Sequence, residues 1–232
     1  ILARGRRGMR LQRTGWRPDP SVIRRVTNVG LPAGGEQLAL RFGMAVFQRL
    51  VAGLGTVAFA AHSVALTGMS VSFMPGFGFS VAATTMVGQA LGARDPERAK
   101  RSVREALRVS AWAMGAAGLL LVLFAGQVMS VFVDDPEVIA LGIMPLQVLG
   151  MIQPLSAASM VYSGSLRGAG DTRWTLVITT LSVWVLRVPL TMLLVGPLGL
   201  VGAWLGMATD NVARATMVWL RYRTGRWAKV KV

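Results

Sequence analysis

The residues most able to do chemistry in this sequence are the few charged side chains that interrupt its long apolar stretches. Glu36 is the one acidic residue between Gly30 and Leu54, and Arg41 follows five residues later. A charge in the middle of a bilayer is costly, so an ionisable residue inside a spanning helix is a functional candidate by default. A carboxylate there can exchange a proton for another cation. The sequence therefore predicts such a role for Glu36. The alternatives are a structural pairing with Arg41 and a position at the membrane interface.

The other charged residues within apolar stretches have simpler interpretations. Asp210 and Arg214 are four residues apart, which is the spacing of an ion pair on one helix. Arg49 and Arg187 lie towards the ends of their stretches, so we expect their side chains to extend to the membrane surface. His62 is the only histidine. It opens an apolar stretch, where a helix cap or an interface position is more typical than a proton relay.

Six helices long enough to span a bilayer are needed to position these side chains. Residues 56–91 contain no Asp, Glu, Lys or Arg, and about 20 apolar residues suffice to span. Pro75-Gly76 predicts a bend in this helix. Asp19-Pro20, Asp95-Pro96 and Asp135-Pro136 each predict a helix start, with Asp as the cap. The predicted spans are about 31–54, 56–91, 109–133, 137–166, 174–195 and 198–222.

The predicted fold class is an all-α membrane protein, a bundle of six transmembrane helices. Residues 1–29 are predicted to be a basic cytoplasmic linker, in which residues 21–29 form a short amphipathic helix. The alternative for this stretch is a solvated linker. Residues 30–224 form the six-helix lobe, and residues 225–232 form a basic tail. The first residue is Ile1, and we expect the chain to be the later part of a longer protein.

Composition excludes several other classes of protein. The 232 residues are 53% hydrophobic and 15% charged, with a mean hydropathy of +0.53, whereas soluble domains carry about 25% charged residues. The net charge of +15 could suit nucleic acid. However, the basic residues lie between apolar spans, which argues for the lipid bilayer as the partner and against nucleic acid. The sequence has no cysteine and no HExxH, GxSxG or paired intramembrane acids, so we predict no enzyme and no metal site.

The basic residues also predict an orientation in the membrane. All 25 Lys and Arg residues except Arg41, Arg49, Arg187 and Arg214 lie in residues 1–29, 94–108, 167–173 and 221–231. The alternate turns, near Gly55, Asp134 and Gly196, carry none. Since positive loops stay in the cytoplasm, both termini are predicted to be cytoplasmic. An even number of spans agrees with this orientation.

Three segments give the sequence a resemblance to a known family. GLGTVAFAAHSVAL, FMPGFGFSVAATTMVGQALGARDPERA and YSGSLRGAGDTR, in this order, resemble the second half of a prokaryotic multidrug and toxic compound extrusion (MATE) transporter. The resemblance covers about residues 30–222. It implies a bacterial inner-membrane protein of twelve spans in two lobes, of which this chain is the C-terminal one. The N-terminal six-helix lobe is then a partner, and drug-like cations are exported in exchange for H⁺ or Na⁺, with no other cofactor.

The resemblance also implies site residues. Members of this family often have a Glu on the first helix of this lobe, which makes Glu36 the candidate for ion or proton coupling. Where some members carry an Asp in the fourth span, this sequence has Ser156, so it lacks that acid. The substrate-cavity candidates are polar, aromatic and thioether side chains that suit flat cations, although the Met and Phe residues are more often core. They are Gln37, Arg41, Met74, Phe77, Gln153, Ser156 and Tyr162.

Two alternatives to an efflux antiporter lobe stay open at this point. One is a lipid-linked oligosaccharide flippase of the same superfamily. We expect such a flippase to have more arginines in its cavity, whereas the candidates in this sequence are Arg41 and Arg187. The other is a fragment that does not transport by itself. The sequence leaves the drug, the choice between H⁺ and Na⁺ and the oligomeric state undetermined.

Overall fold

The helices of this chain follow one another with short connections. The computed structural model describes residues 19–229, apart from the side chains of Arg25 and Lys229. Residues 1–18 of the predicted basic linker and the last three residues of the predicted tail lie outside this range. The described residues form helices joined by turns, with a π-helical segment at Ser182–Arg187 and a 3₁₀ turn at Arg226–Lys229. The α-helices are α1 (Pro20–Ala52), α2 (Thr56–Gly92), α3 (Pro96–Leu123), α4 (Ala125–Ser130), α5 (Pro136–Gly168), α6 (Thr172–Leu181) and α7 (Val188–Arg223).

The three predicted Asp-Pro helix starts are confirmed. The carboxylate of each Asp accepts a hydrogen bond from a backbone N–H of the first turn, at 2.8 Å for Asp19, 2.8 Å for Asp95 and 2.9 Å for Asp135. A proline follows each cap, where its missing N–H costs no hydrogen bond. These caps fix where α1, α3 and α5 begin.

Two predicted boundaries differ in the structure. Residues 21–29 are not a separate surface helix, because α1 runs without a break from Pro20 to Ala52. The predicted third span, which extended to Val133, ends at Leu123, where Phe124 leaves the helical conformation and the short α4 follows. Apolar composition continues across this break, so hydropathy alone could not locate it.

The described chain crosses the bundle six times, in agreement with the predicted fold class. Among residues 19–229, four stretches are long and apolar enough to span a membrane: α2, α3, α5 and residues 172–223. The last is 52 residues long and reverses at Gly199, whose φ of +55° favours glycine. A Cβ on Gly202 would lie 2.1 Å from the Leu194 carbonyl oxygen, so the two arms pack closely. Because the last stretch crosses twice, the four stretches give five crossings. Helix α1, which carries Glu36, Arg41 and Arg49, provides the remaining one.

Helices α2 and α5 pack through small residues. A Cβ on Gly164 would lie 2.3 Å from the Ser80 carbonyl oxygen, and one on Gly168 would lie 2.2 Å from that of Thr84. The hydroxyl of Ser80 donates to the Met160 carbonyl at 2.8 Å, and that of Thr84 donates to the Gly164 carbonyl at 2.9 Å. Close backbones and hydroxyl bonds between helices are typical of packing in membranes. Pro75 lies inside the unbroken α2, and its bend stays a prediction.

Two apolar core clusters occupy opposite ends of the bundle. One is built around Phe47, Leu146 and Trp204. The other is built around Val87, Leu166 and Trp227. The end of the bundle where this second cluster lies also carries the turns at residues 93–95, 169–171 and 224–225. We call it the basic end. Trp227 is 1% exposed, so the start of the predicted tail packs on the bundle. The polar cavity of the bundle lies between the two clusters.

Candidate functional site

A polar cavity of about 250 Å³ opens between the two core clusters. Its walls come from α1, α2, α5, α6 and the second arm of α7. Carboxylate, guanidinium, amide and hydroxyl groups face it together with two phenylalanines and a methionine. The lining residues are Glu36, Gln37, Leu40, Phe73, Phe77, Ser80, Ser156, Ser159, Met160, Ser163, Arg167, Thr179, Asn211 and Arg214.

Glu36 is held in this cavity by two other helices. Its side chain is 3% exposed, and Arg167 of α5 donates to both carboxylate oxygens, from Nη2 at 2.9 Å and from Nε at 3.3 Å. The hydroxyl of Thr179 in α6 donates to the same carboxylate at 3.2 Å. The structural partner of Glu36 is therefore Arg167 rather than Arg41. Arg167 itself is 33% exposed, so one side of this pair can be reached from the cavity.

The position of Arg167 explains why sequence reasoning placed it in a cytoplasmic turn. It lies in the last turn of α5, one residue before the helix ends at Gly168. Side chains on a helix point back towards its N-terminus. A long arginine at the end of α5 therefore extends towards the middle of the bundle, where it contacts Glu36.

A second ionic cluster surrounds Asp210, which is fully buried. Arg214 donates to it at 2.9 Å, which confirms the predicted i,i+4 pair. Arg187 and Ser182, both in the π-helical segment, also donate to its carboxylate. The prediction that Arg187 extends to the membrane surface is wrong, because its side chain is 8% exposed and points to the second arm of α7. Single π-helical turns are frequent at functional sites.

His62 does not cap α2, and it does not lie at an interface. Helix α2 begins at Thr56, and the histidine is fully buried in the first core cluster, against the rings of Phe47, Phe59 and Trp204 at centroid distances of 5.4, 6.3 and 5.6 Å. Neither ring nitrogen has a hydrogen-bond partner among residues 19–229. The position of His62 in the sequence could not predict its burial among aromatic rings, since those rings come from three different helices.

The structure brings four of the predicted site residues into the cavity wall: Glu36, Gln37, Phe77 and Ser156. It also adds hydroxyl and amide groups that sequence reasoning missed, on Ser159, Ser163, Thr179 and Asn211. The spacing of Ser156, Ser159 and Ser163 was a readable signal, because residues three and four apart share a helix face.

The other four predicted cavity residues lie elsewhere. Gln153 is fully buried, and its amide donates to the Ser72 hydroxyl at 2.6 Å, so it ties α5 to α2. Met74 is 72% exposed. Arg41 lines a separate groove on α1 with Gln37 and Leu176. Tyr162 lines a pocket at the basic end. For these residues the sequence pattern predicted the helix to which they belong, but it did not predict which face of that helix they occupy.

The ionic groups in and beside the cavity carry a net positive charge. Glu36 and Asp210 face three guanidiniums, those of Arg167, Arg187 and Arg214. Each carboxylate is engaged, and Asp210 is shared between two arginines. Charged groups buried among spanning helices, around a cavity lined by hydroxyls, are typical of substrate and ion pathways. The fold and this site together define a helical membrane-protein lobe with buried ion pairs around a cavity.

Comparison with known proteins gives the family. The chain belongs to the MatE family, whose sequence model matches residues 32–193. It is 32% identical over 214 residues to a protein of Thermotoga maritima called "Probable multidrug resistance protein NorM", in an alignment that covers 91% of this chain and 46% of that protein. The chain therefore spans about half the length of this curated relative.

Solved structures agree in fold. A MATE crystal structure in the bent conformation superposes with a TM-score of 0.88 at 23% identity, covering 98% of this chain and 51% of that one. An outward-facing multidrug resistance MATE family transporter of the MOP superfamily gives 0.85 at 23% identity, covering 96% and 51%. A MOP superfamily transporter from Pyrococcus furiosus, described as having a binding pocket of reverse polarity, gives the same values. At this level of identity the likeness concerns the fold.

Proposed function

We propose that this chain forms one lobe of a cation-coupled multidrug antiporter that exports cationic and amphipathic compounds from bacteria. In this proposal it lies in the inner membrane with both termini in the cytoplasm, and it works with a second six-helix lobe. The observation that carries the proposal is the buried carboxylate of Glu36, which faces a polar cavity and is held by one partly exposed guanidinium. The coupling ion is H⁺ or Na⁺.

A cation that binds Glu36 has to compete with the partners that its carboxylate already has. Arg167 occupies both oxygens, and Thr179 adds a hydroxyl bond. A proton, a sodium ion or an organic cation can bind only by weakening the contact with Arg167. When Glu36 is protonated, Arg167 loses its counter-ion, and its exposed side can turn into the cavity. Competition between the internal guanidinium and external cations therefore links ion binding to substrate release.

The rest of the wall suits the apolar part of a substrate. Phe73, Phe77 and Met160 face the same cavity as the carboxylate. Aromatic faces attract cations, and a flexible thioether adapts to different shapes. Hydroxyls are available along one face of α5, from Ser156 to Ser163. A cavity of about 250 Å³ in one lobe would be enlarged by the facing lobe in the assembled transporter.

The flippase alternative finds less support in this cavity. A site for a lipid-linked oligosaccharide would want guanidiniums free to bind phosphate. Two arginines that the sequence prediction did not count, Arg167 and Arg214, do line the cavity, but each already binds a carboxylate. The remaining alternative is a fragment without transport of its own. Both this alternative and the proposal predict no drug efflux from cells that express only this chain, and they differ in whether efflux is observed when the complementary lobe is expressed with it.

The experiment is a charge-neutral substitution at Glu36 in cells that express this chain together with its complementary lobe. Glu36→Gln should abolish drug-dependent proton or sodium movement and should reduce ethidium efflux to the level of cells without the transporter. The matched control is Glu105→Gln, since Glu105 is 61% exposed and pairs only with Arg108 among the described residues. Undiminished efflux by a well-expressed Glu36→Gln variant would assign Glu36 to structure and place the coupling site in the other lobe.

A further inference from the structure

A second pocket, of about 320 Å³, lies at the basic end and is separate from the cavity around Glu36. Three cationic side chains line it: Lys100 and Arg104 of α3 and Arg223 at the end of α7. Lys100 binds Glu97 at 2.7 Å. Within the described part of the chain, neither Arg104 nor Arg223 forms an ion pair. The pocket therefore has two guanidiniums that no carboxylate of the described residues neutralises; that of Arg223 lies over the Trp219 ring, 5.4 Å from its centroid.

Three aromatic rings in contact line this pocket. The rings of Tyr162 and Tyr222 lie 4.8 Å apart, and those of Tyr222 and Trp227 are stacked at 5.0 Å. The indole N–H of Trp227 donates to the Tyr222 carbonyl at 2.9 Å, and Trp227 is almost fully buried. Because the 3₁₀ turn after α7 is fixed in this way, the pocket is preformed between three helices.

An apolar groove continues from the pocket towards the middle of the bundle. Its volume is about 250 Å³, and it shares Leu107 and Tyr162 with the pocket. Leu155 and Ala158 of α5 and Ala215 of α7 line its deeper part. Tyr162 and Leu155 are two helical turns apart on α5, so the groove extends about 10 Å further into the membrane. The two adjoining cavities share Leu107 and Tyr162, and we refer to them together as a cleft with a cationic end and an apolar end.

We propose that this cleft binds an anionic phospholipid. The phosphate lies between Arg104 and Arg223, and an acyl chain lies in the groove beside Ala158 and Ala215. Basic pockets between spanning helices are typical sites for anionic headgroups, and arginine forms strong charge-assisted hydrogen bonds with phosphate. The cationic charge disfavours a drug-like cation here. A free phosphate compound would leave the apolar groove without a role, so the occupant that fits both ends is a lipid.

The test measures lipid binding to the purified, delipidated 232-residue chain in detergent, with native mass spectrometry as the readout. Phosphatidylglycerol should bind the wild-type chain tighter than phosphatidylcholine by on the order of tenfold or more. The Arg104→Gln/Arg223→Gln variant should bind phosphatidylglycerol roughly 30-fold more weakly, at about fivefold per basic group. The matched control is Arg98→Gln/Arg101→Gln, which removes the same charge from exposed positions of α3; it should retain binding.

Two further measurements test the apolar groove and distinguish a bound lipid from free phosphate. Ala158→Phe narrows the groove without changing charge, and it should weaken phosphatidylglycerol binding while leaving the circular dichroism spectrum unchanged. Inorganic phosphate at millimolar concentration should not displace the lipid. Equal affinity for the two lipids, equal loss in the control variant or full displacement by inorganic phosphate would overturn the proposal.

Discussion

The two buried carboxylates should differ sharply in what their removal costs in folding stability. Asp210 is fully buried, and its partners Arg187 and Arg214 have side chains that are 8% and 15% exposed. Asp210→Asn leaves two guanidiniums buried beside each other without an anion. Removal of one member of a buried ion pair typically costs about 3–5 kcal/mol. We expect a loss in that range, at its upper end because two cations are left.

Glu36→Gln should cost much less. The change leaves a single guanidinium, that of Arg167, whose side chain is one-third exposed. Its charged head can therefore become hydrated, and the glutamine amide oxygen can still accept one hydrogen bond. Partly exposed pairs contribute on the scale of surface ion pairs, about 1 kcal/mol. The predicted difference between the two variants is thus at least about 2 kcal/mol.

Reversible unfolding of the full chain in mixed micelles of sodium dodecyl sulfate and dodecyl maltoside measures this difference. Tryptophan fluorescence reports the transition, and the free energy of unfolding is extrapolated to zero denaturing detergent. Adding Arg187→Met to Asp210→Asn should restore part of the lost stability, since one uncompensated charge is removed. Glu105→Gln provides the baseline for an exposed pair. Equal losses for Glu36→Gln and Asp210→Asn would refute the reasoning from exposure.

Three further predictions concern topology, completeness and packing. The sequence has no native cysteine, so single cysteines at Gly55, Asp135 or Gly196 should react with an impermeant maleimide outside the cell, whereas one at Arg98 should not; external labelling at Arg98 would invert the orientation. The chain expressed by itself should confer no drug efflux, because it spans about half of its relative, and robust ethidium export would contradict this. Gly168→Ala should destabilise the chain by about 1–3 kcal/mol through overpacking against Thr84. The control, Gly30→Ala, has open space around its Cβ and should not.

Features that depend on neighbours along the chain could be predicted from the sequence. The Asp-Pro starts of α1, α3 and α5 have local causes, and so does the pairing of Asp210 with Arg214 four residues later. The ends of α2 at Gly92 and of α5 at Gly168 also have a local signal, because each of these glycines lies three residues before an aspartate. The second of these aspartates, Asp171, precedes α6 but makes no cap hydrogen bond, and it binds Arg221 at 2.8 Å instead.

Features that depend on which faces meet could not be predicted in this way. Arg187 was assigned to the membrane surface because of its place in the sequence, but the π-helical segment and the reversal at Gly199 bring it to Asp210. Gln153 was assigned to the cavity because it is polar, but its partner is Ser72 on a neighbouring helix. The rotation of each helix about its own axis decides such contacts. Hydropathy is nearly uniform around α2 and α5, so it carries little information about that rotation.

The choice of Glu36 over Asp210 as the exchanging carboxylate has a different basis in the structure than in the sequence. Spacing within a helix paired Asp210 with Arg214 four residues later, whereas Arg41 lies five residues from Glu36. In the structure both carboxylates are paired, but Asp210 is held by two arginines and a serine from two arms, whereas Glu36 has one arginine that reaches the cavity and one threonine hydroxyl. A carboxylate can exchange cations only if its present partner has somewhere to go. Arg167 has the cavity. Of the two arginines on Asp210, Arg214 also lines the cavity, but Arg187 has only the packed interior of the bundle, so Asp210 keeps one buried partner.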